Sequence, residues 1–243
     1  MTAILAAGSP PSHEVPLRIL READRLIACD GAWRAAMELG RRPDAVVGDG
    51  DSLGDGGARE LARLGIPFIE ESEQDTNDLC KAFRHADGDL VAILGATGRR
   101  EDHSLGNIFH LIDFAEERLR AGFAAESPGV AIVTDSGVFE PTLPPGRSWD
   151  VKAGQPVSVF APLPSTEMSS EGLEWALDGV DFGSLWRGTL NRAAGERFTI
   201  RTSRPAIIFL PHLQSEGGFW YSSPLSPAYC AKKGQNADTR GVS

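Results

Sequence analysis

Short apolar runs alternate with helical patterns through the first half of the chain. Strands are predicted at 3–7, 25–29, 45–47, 67–70, 89–95 and 129–135. Between them, apolar residues recur at helical spacing, which predicts helices at 32–40, 58–65, 77–86 and 103–122. In the last of these helices the expected core-facing residues are Leu105, Ile108, Ile112 and Ala115. Such alternation predicts a parallel sheet covered by helices on both faces.

The pattern changes near residue 137, where proline and glycine become frequent. Beyond it the strand-like runs are short and separated by turn residues, at 155–161, 171–177, 197–202 and 206–210. We therefore predict two domains and an irregular C-terminal tail. They are an α/β/α parallel-sheet domain at 1–147, a smaller all-β domain of sandwich or barrel type at 148–212, and the tail at 213–243.

Composition excludes several classes of protein. The chain of 243 residues has a net charge of −10 and shows no cluster of Lys and Arg, so a nucleic-acid partner is not expected. No apolar stretch approaches the ~20 residues that span a bilayer, so no membrane partner is expected either. Cys29, Cys80 and Cys230 have no metal-binding spacing, and the first two are predicted to be buried. The start, MTAILAAG, is predicted to be a first strand rather than a signal peptide, and the expected location is the cytoplasm.

Polar, glycine-rich segments follow four of the predicted strands. They are Asp30-Gly31, GDGDS at 48–52, EQDTND at 73–78 and GATGRREDH at 95–103. In an open parallel sheet the carboxyl ends of the strands share one edge, where ligands bind. We therefore expect these segments to converge on one crevice.

The expected crevice combines acidic and basic groups. Asp49 and Asp51 repel each other unless a cation lies between them, and carboxylates beside glycine turns suit Mg²⁺. The GATGRR segment offers backbone N–H groups and a helix N-terminus to anions, and Lys81, Arg99 and Arg100 add positive charge. Carboxylates, a metal ion and basic groups on one sheet edge are the components of phosphoryl transfer.

Each of these features also has a purely structural interpretation. The functional interpretation therefore rests on their joint arrangement. The alternatives are an Asx turn at 49–52, an i,i+3 ion pair between Asp78 and Lys81, a helix cap at Asp102, a structural imidazole at His103 and a buried indole at Trp175.

Taken in order, the polar segments resemble the motifs of the thiamine pyrophosphokinase family. The matching stretches are ACDGA at 28–32, GDGDS at 48–52, QDTNDLCKA at 74–82, GATGRREDHSLGNI at 95–108 and GLEWALDGVDFGSLWRGTLN at 172–191. The resemblance covers about residues 2 to 210. It departs from the family pattern at Ala32, Gly50, Asn77, Arg99 and Leu190, where the family usually has Gly, Phe, Thr, Gly and Ser.

The resemblance implies Mg²⁺-dependent transfer of pyrophosphate from ATP, the co-substrate, to the hydroxyl of thiamine, giving thiamine diphosphate and AMP. It also implies a homodimer with active sites between subunits. The implied catalytic residues are Asp49, Asp51, Asp78, Lys81, Arg100 and Asp102, of which Asp49, Asp51 and Asp78 hold the metal. The implied ATP contacts are Asp30, Gln74, Lys81, Arg99, Arg100 and His103, and the implied thiamine contacts are Trp175, Thr189, Leu190 and Asn191.

Two other functions stay open at this point. One is pyrophosphoryl transfer to another hydroxymethyl heterocycle, such as a pterin. The other is a catalytically silent sensor of nucleotide or thiamine. Within the leading hypothesis, either Asp78 or Asp102 is available to accept the hydroxyl proton.

Overall fold

A computed structural model describes residues 1–213, so the predicted tail lies, apart from Leu213, outside the described residues. The first half confirms the predicted alternation of strands and helices. Six strands pair in parallel in the order β6-β5-β1-β2-β3-β4. They are β1 (Thr2–Leu5), β2 (Arg25–Cys29), β3 (Ala45–Gly48), β4 (Phe68–Glu70), β5 (Val91–Leu94) and β6 (Val130–Val133).

Five α-helices accompany these strands. They are α1 (Glu14–Glu22), α2 (Trp33–Glu38), α3 (Gly57–Leu64), α4 (Asp78–Arg84) and α5 (Glu101–Arg120). Helix α1 was not predicted; it buries Val15, Ile19 and Leu20 against the sheet, and His13 caps its start. Within residues 1–213, no helix is long and apolar enough to cross a membrane.

Four later strands extend the same sheet in antiparallel fashion, giving ten strands in the order β11-β9-β13-β7-β6-β5-β1-β2-β3-β4. They are β7 (Gly137–Thr142), β9 (Pro156–Phe160), β11 (Gly188–Arg192) and β13 (Ala206–Pro211). A second, antiparallel sheet contains β8 (Gly146–Asp150), β10 (Met168–Glu171) and β12 (Arg197–Thr202). The β region therefore continues the parallel sheet, and the domain boundary at residue 147 stays a proposal.

The proline-rich stretch 141–148 contains the end of β7 and the start of β8. Two details of the prediction are wrong. The strand expected at 171–177 ends at Glu171, because Gly172 takes a φ of 77° and turns the chain. Leu105 is 57 % exposed instead of facing the core, because burial along α5 begins only at Asn107.

The β region has its own apolar core between the two sheets, with a buried ion pair at its edge. Glu140 on β7 accepts from Arg147 and, at 2.8 Å, from the indole Nε1 of Trp149, both on β8. The Arg147 guanidinium lies over the Trp149 ring, and Trp149 stacks on Phe198 with centroids 5.0 Å apart. These contacts tie the small sheet to the large one.

The prediction that Cys29 and Cys80 are buried is confirmed. Cys29 and Cys80 are both free and buried. Burial, with repulsion from Asp78 and Asp30, raises the pKa of the Cys29 thiol far above its usual range. Both behave as small core residues, and Cys230 lies outside the described residues.

Candidate active site

Asp30 organises the loop that follows β3. It is fully buried, and its Oδ2 accepts the backbone N–H of Gly50 at 2.9 Å and of Ser52 at 3.1 Å. Gly48 allows this approach, since a Cβ there would lie 2.4 Å from the Cβ of Asp30. The other oxygen of Asp30, Oδ1, is buried and accepts no hydrogen bond from the described residues. Asp30 therefore fixes the GDGDS turn through Oδ2, while its Oδ1 stays available to a ligand.

Lys81 lies at the centre of the acidic cluster. Its side chain is 1 % exposed, and its Nζ lies 3.2 Å from Oδ2 of Asp49 and 3.6 Å from Oδ1 of Asp78. Gln74 donates to the same Asp49 oxygen at 3.2 Å. The structure thus brings together residues from the ends of β3 and β4 and from the start of α4. The Asp78–Lys81 pair is part of this cluster, not an isolated surface pair.

The charges in this cluster perturb one another. Burial alone lowers the pKa of Lys81, but the hydrogen bond that Lys81 donates to Asp49 and the attraction of Asp49 and Asp78 outweigh it, so the pKa is raised. The pKa of Asp49 is lowered, chiefly by the hydrogen bond from the Asp51 N–H and next by the hydrogen bond from Lys81. Burial, then repulsion from Asp49, raises the pKa of Asp78. Burial also raises the pKa of Asp30, although the Ser52 and Gly50 N–H groups oppose it.

These carboxylates are candidate ligands for a divalent cation. Among residues 1–213, no three His, Cys, Asp or Glu side chains converge tightly enough to cage a metal ion. The donor chemistry nevertheless fits Mg²⁺, which binds through one or two carboxylates plus phosphates and water rather than in an all-protein cage. Asp30, Asp49 and Asp78 repel one another, and Asp30 retains an unpaired buried oxygen. A cation delivered with a nucleotide would relieve that repulsion.

The loop after β5 carries the second basic group. Arg100 is the N-cap residue of α5, and its guanidinium pairs with Asp102 at 2.5 Å on the surface. The Arg100 hydrogen bond lowers the pKa of Asp102 to about 2. Because Arg100 is the N-cap residue, Asp102 lies in the first turn of α5 and does not cap the helix. Its carboxylate accepts the backbone N–H of exposed His103 at 2.9 Å. Arg99, also exposed, reaches the carbonyl of Ala7 at 3.5 Å.

A cleft of about 190 Å³ opens beside this loop, at the carboxyl ends of β1, β5 and β6. It is lined by Ser9, Pro10, Pro11, Gly95, Thr97, Gly98, Val133, Thr134, Asp135 and Ser136. The loops after β1 and β5 pair through their backbones, from Gly8 to Gly95 at 2.7 Å and from Ser9 to Thr97 at 2.8 Å. The loop after β1 was not among the predicted site segments, because its residues carry no charge pattern.

The four residues implied to contact thiamine lie in the β region and form a separate group. They are Trp175, Thr189, Leu190 and Asn191. Trp175 is 54 % exposed, so the alternative of a buried core indole is wrong. Asn191 is buried, and its amide accepts the Trp175 N–H at 3.2 Å and donates to the Trp175 carbonyl at 2.7 Å. Thr189 donates to the Trp186 carbonyl at 2.7 Å. Within residues 1–213, no hydrogen bond or ion pair joins this group to the aspartate cluster.

Leu190 has an unusual backbone. It takes a φ of 62° and lies 85 % exposed, at an irregularity in the pairing of β11 with β9. Trp186 and Leu185, 70 % and 43 % exposed, precede it. Together with Trp175 they give the edge of the β region several exposed apolar side chains.

Family comparison decides what this combination of motifs and fold represents. The family model for the catalytic domain of thiamin pyrophosphokinase matches residues 17–122. The model for the substrate-binding domain of the same enzyme matches residues 137–209.

The chain belongs to the thiamin pyrophosphokinase family.

Curated relatives agree with this assignment. The rice protein thiamine pyrophosphokinase 1 is 30 % identical over 162 residues, which is 59 % of this chain and 57 % of the rice protein. Thiamine pyrophosphokinase 1 of Arabidopsis thaliana is 27 % identical over 179 residues, 66 % of this chain and 62 % of its own length. The matched stretch thus spans somewhat more than half of these thiamine pyrophosphokinases.

Solved thiamin pyrophosphokinases share the fold. The Candida albicans structure superposes with a TM-score of 0.68 at 16 % identity and covers 86 % of this chain and 89 % of its own. The Geobacillus thermodenitrificans structure gives 0.67 at 21 % identity, with 88 % and 98 % covered. The continuous parallel and antiparallel sheet is therefore the family fold.

Proposed function

We propose that this protein transfers pyrophosphate from ATP to the hydroxyl group of thiamine, forming thiamine diphosphate and AMP. The observation that carries the proposal is the buried ammonium of Lys81 held between Asp49 and Asp78 at the carboxyl edge of a parallel sheet. A cation and carboxylates at that edge suit a metal-bound polyphosphate. Membership of the thiamin pyrophosphokinase family supports thiamine as the acceptor.

Each catalytic side chain has a role in this reaction. Asp49, Asp51 and Asp78 would hold Mg²⁺, which screens the phosphate charge and polarises the β-phosphoryl group. Lys81 and Arg100 offset the negative charge that develops on phosphoryl oxygens during in-line attack at the β-phosphorus. Arg100 contacts Asp102 through Nε and Nη2, so Asp102 would orient the guanidinium while its remaining N–H groups reach the phosphate.

Several residues position the nucleotide. Gln74 holds Asp49, and Asp30 holds the GDGDS turn, so both act on ATP largely through the loops they order. Arg99 and His103 lie exposed beside the N-terminus of α5 and face the solvent that the phosphates would replace. The nucleoside end of ATP fits the adjacent cleft between the loops after β1 and β5.

The proton of the thiamine hydroxyl needs an acceptor. Of the two aspartates considered, Asp102 is the weaker base, because Arg100 holds its pKa at about 2. Asp102 also lies at the surface, where its charge is fully used by Arg100 and the His103 N–H. We therefore assign the proton acceptor to Asp78.

We place thiamine against the exposed aromatic edge of the β region. The thiazolium ring is cationic, and an exposed indole such as Trp175 attracts a cation over its face. Asn191 fixes the main chain of Trp175 on both sides, while Thr189 and Leu190 lie on the adjacent strand. The same exposed apolar edge supports a homodimer, in which a second subunit would cover it. The dispersed cysteines support the reducing cytoplasm as its location.

Trp175→Ala is expected to raise the KM for thiamine by roughly tenfold, the scale of a lost aromatic or cation–π contact. The KM for ATP should stay within twofold. Steady-state kinetics with each substrate varied in turn measures both values. Leu119→Ala, at the far end of α5, serves as the control for loss of an exposed apolar side chain. Equal effects of Trp175→Ala on the two KM values would contradict a thiamine-binding role.

The proposed function is tested by AMP formation with ATP and Mg²⁺ in the presence of thiamine, of a hydroxymethylpterin, or of neither. We expect AMP only with thiamine. AMP with the pterin would favour the other acceptor. Tight Mg–ATP binding without AMP under any condition would favour a sensor.

A further inference from the structure

Two side-chain amides connect α4 to the loop after β5. Asn77, the N-cap residue of α4, accepts the backbone N–H of Cys80 through Oδ1 at 3.0 Å. Its Nδ2 donates to Oδ1 of Asn107 at 3.1 Å. The Nδ2 of Asn107 in turn donates to the carbonyl of Ala96 at 2.8 Å. Three hydrogen bonds therefore run in one direction, from the first turn of α4 to the loop after β5.

The orientation of both amides follows from their neighbours. The Cys80 N–H can only donate and the Ala96 carbonyl can only accept, so turning either amide over would place like groups against each other. Asn107 is 8 % exposed on a helix whose other buried neighbours are mostly apolar. A buried amide is costly unless its hydrogen bonds are made, and an apolar side chain would suffice for packing alone.

The connected segments carry the two cationic groups of the proposed site. Helix α4 presents Lys81, three residues after Asp78, while the loop after β5 leads to Arg100 at the N-cap of α5. Phosphoryl transfer depends on such groups holding fixed positions around the phosphates. A displacement of about 1 Å can cost ~100-fold in rate even when no catalytic group is removed.

We propose that Asn77 and Asn107 are positioning residues that hold Lys81 and Arg100 in register across the phosphate-binding edge. This inference rests on the proposed function, because it is the phosphates of ATP that both cations would contact. Asn77 is one of the positions at which this chain departs from the family pattern, which has Thr there. An amide presents its acceptor and its donors on separate atoms, so one side chain caps α4 and reaches Asn107 together.

Two variants separate the links. Asn77→Thr keeps an oxygen that caps α4 but removes the amide donor to Asn107. Asn107→Ala removes the links to Asn77 and to Ala96 at once. We expect each variant to lower kcat/KM for ATP by about 10- to 100-fold while the KM for thiamine stays within twofold. The double variant should be no worse than Asn107→Ala alone, because both changes break the same chain of hydrogen bonds.

A matched control lies at the other end of the same helix. Arg118 is buried on α5 and donates to the carbonyls of Gly88 and Asp89 at 2.9 Å, away from the catalytic edge. Arg118→Met should lower the unfolding temperature as much as Asn107→Ala or more, yet leave kcat/KM for ATP unchanged. If Arg118→Met lost as much kcat/KM as Asn107→Ala, general destabilisation would explain both losses. That result would contradict the positioning role.

Calorimetric titration with Mg–ATP, without thiamine, gives a measurement that does not depend on the acceptor. Weaker binding by at least fivefold in Asn77→Thr, at a temperature where the variant is folded, supports positioning. Unchanged binding together with unchanged turnover overturns it. If the unaltered protein forms no AMP with any acceptor, the proposed function fails, and the binding comparison still decides whether the two amides position the nucleotide site.

Discussion

Asp49→Asn is expected to lower turnover by at least ~100-fold, the scale of removing a group that stabilises charge in the transition state. The substitution keeps the shape of the side chain but removes the negative charge that faces Lys81 at 3.2 Å and that would hold Mg²⁺. Asp51→Asn should have an effect of similar size. Both variants should stay folded, because each side chain lies on the loop after β3 and outside the core.

The measurement is the rate of thiamine diphosphate formation at saturating ATP and thiamine, with circular dichroism to confirm folding. Asp55→Asn is the matched control, since Asp55 is an exposed carboxylate in the same connection between β3 and α3. It should turn over normally. Near-normal turnover in folded Asp49→Asn would remove this residue from the metal-binding set.

The second large effect concerns folding. Glu140→Ala is expected to lower the free energy of unfolding by about 3–5 kcal/mol, because it leaves the Arg147 guanidinium buried without its partner. Burial already lowers the pKa of Arg147, against the attraction of Glu140. The substitution also removes the acceptor of the Trp149 indole N–H, which lies 2.8 Å away. Urea unfolding followed by tryptophan fluorescence measures the change.

Two further variants show whether burial is the cause. Glu171 and Arg201 form an exposed pair at 2.6 Å in the same β region, and Glu171→Ala should cost at most about 1 kcal/mol. Replacing Glu140 and Arg147 together by Leu and Met should recover most of the lost stability, since apolar residues of similar size can substitute for a buried ion pair. A Glu140→Ala cost no larger than that of Glu171→Ala would refute the idea that this pair joins the sheets.

The parallel half of the fold was predictable because its signals are local. Most of these strands are short apolar runs followed by a polar or glycine-rich segment, and the carboxyl ends of parallel strands meet at one edge. That rule alone predicts that Asp49, Gln74 and Lys81 lie close together, and their hydrogen bonds confirm the proximity.

The antiparallel half was harder to predict for equally physical reasons. Only three residues separate the end of β7 from the start of β8, and the prolines and glycines in this stretch resemble a loop. The strand expected at 171–177 ends at Glu171, because the next residue, Gly172, has a positive φ. Strand β7 joins the parallel sheet through antiparallel pairing with its neighbour β6, but the addition of β13, β9 and β11 depends on pairing between distant segments, which leaves no periodic trace in the sequence.

Within the site, side-chain partners were the part that sequence could not supply. Asp30 was expected beside the phosphates, but one of its oxygens holds the GDGDS turn. Asn107 belonged to a recognised motif without an assigned contact, and its link to Asn77 emerges only when α4 and α5 pack together. The burial of Lys81 depends equally on tertiary packing around α4.

The most direct test of the proposed reaction follows the β-phosphorus of ATP. The protein is incubated with thiamine, Mg²⁺ and ATP labelled at the β-phosphate, and the products are separated and identified by mass spectrometry. We expect the label in thiamine diphosphate and the release of unlabelled AMP, which shows transfer of an intact pyrophosphoryl group. Release of labelled ADP, or recovery of unchanged thiamine beside protein-bound Mg–ATP, would contradict the proposed reaction.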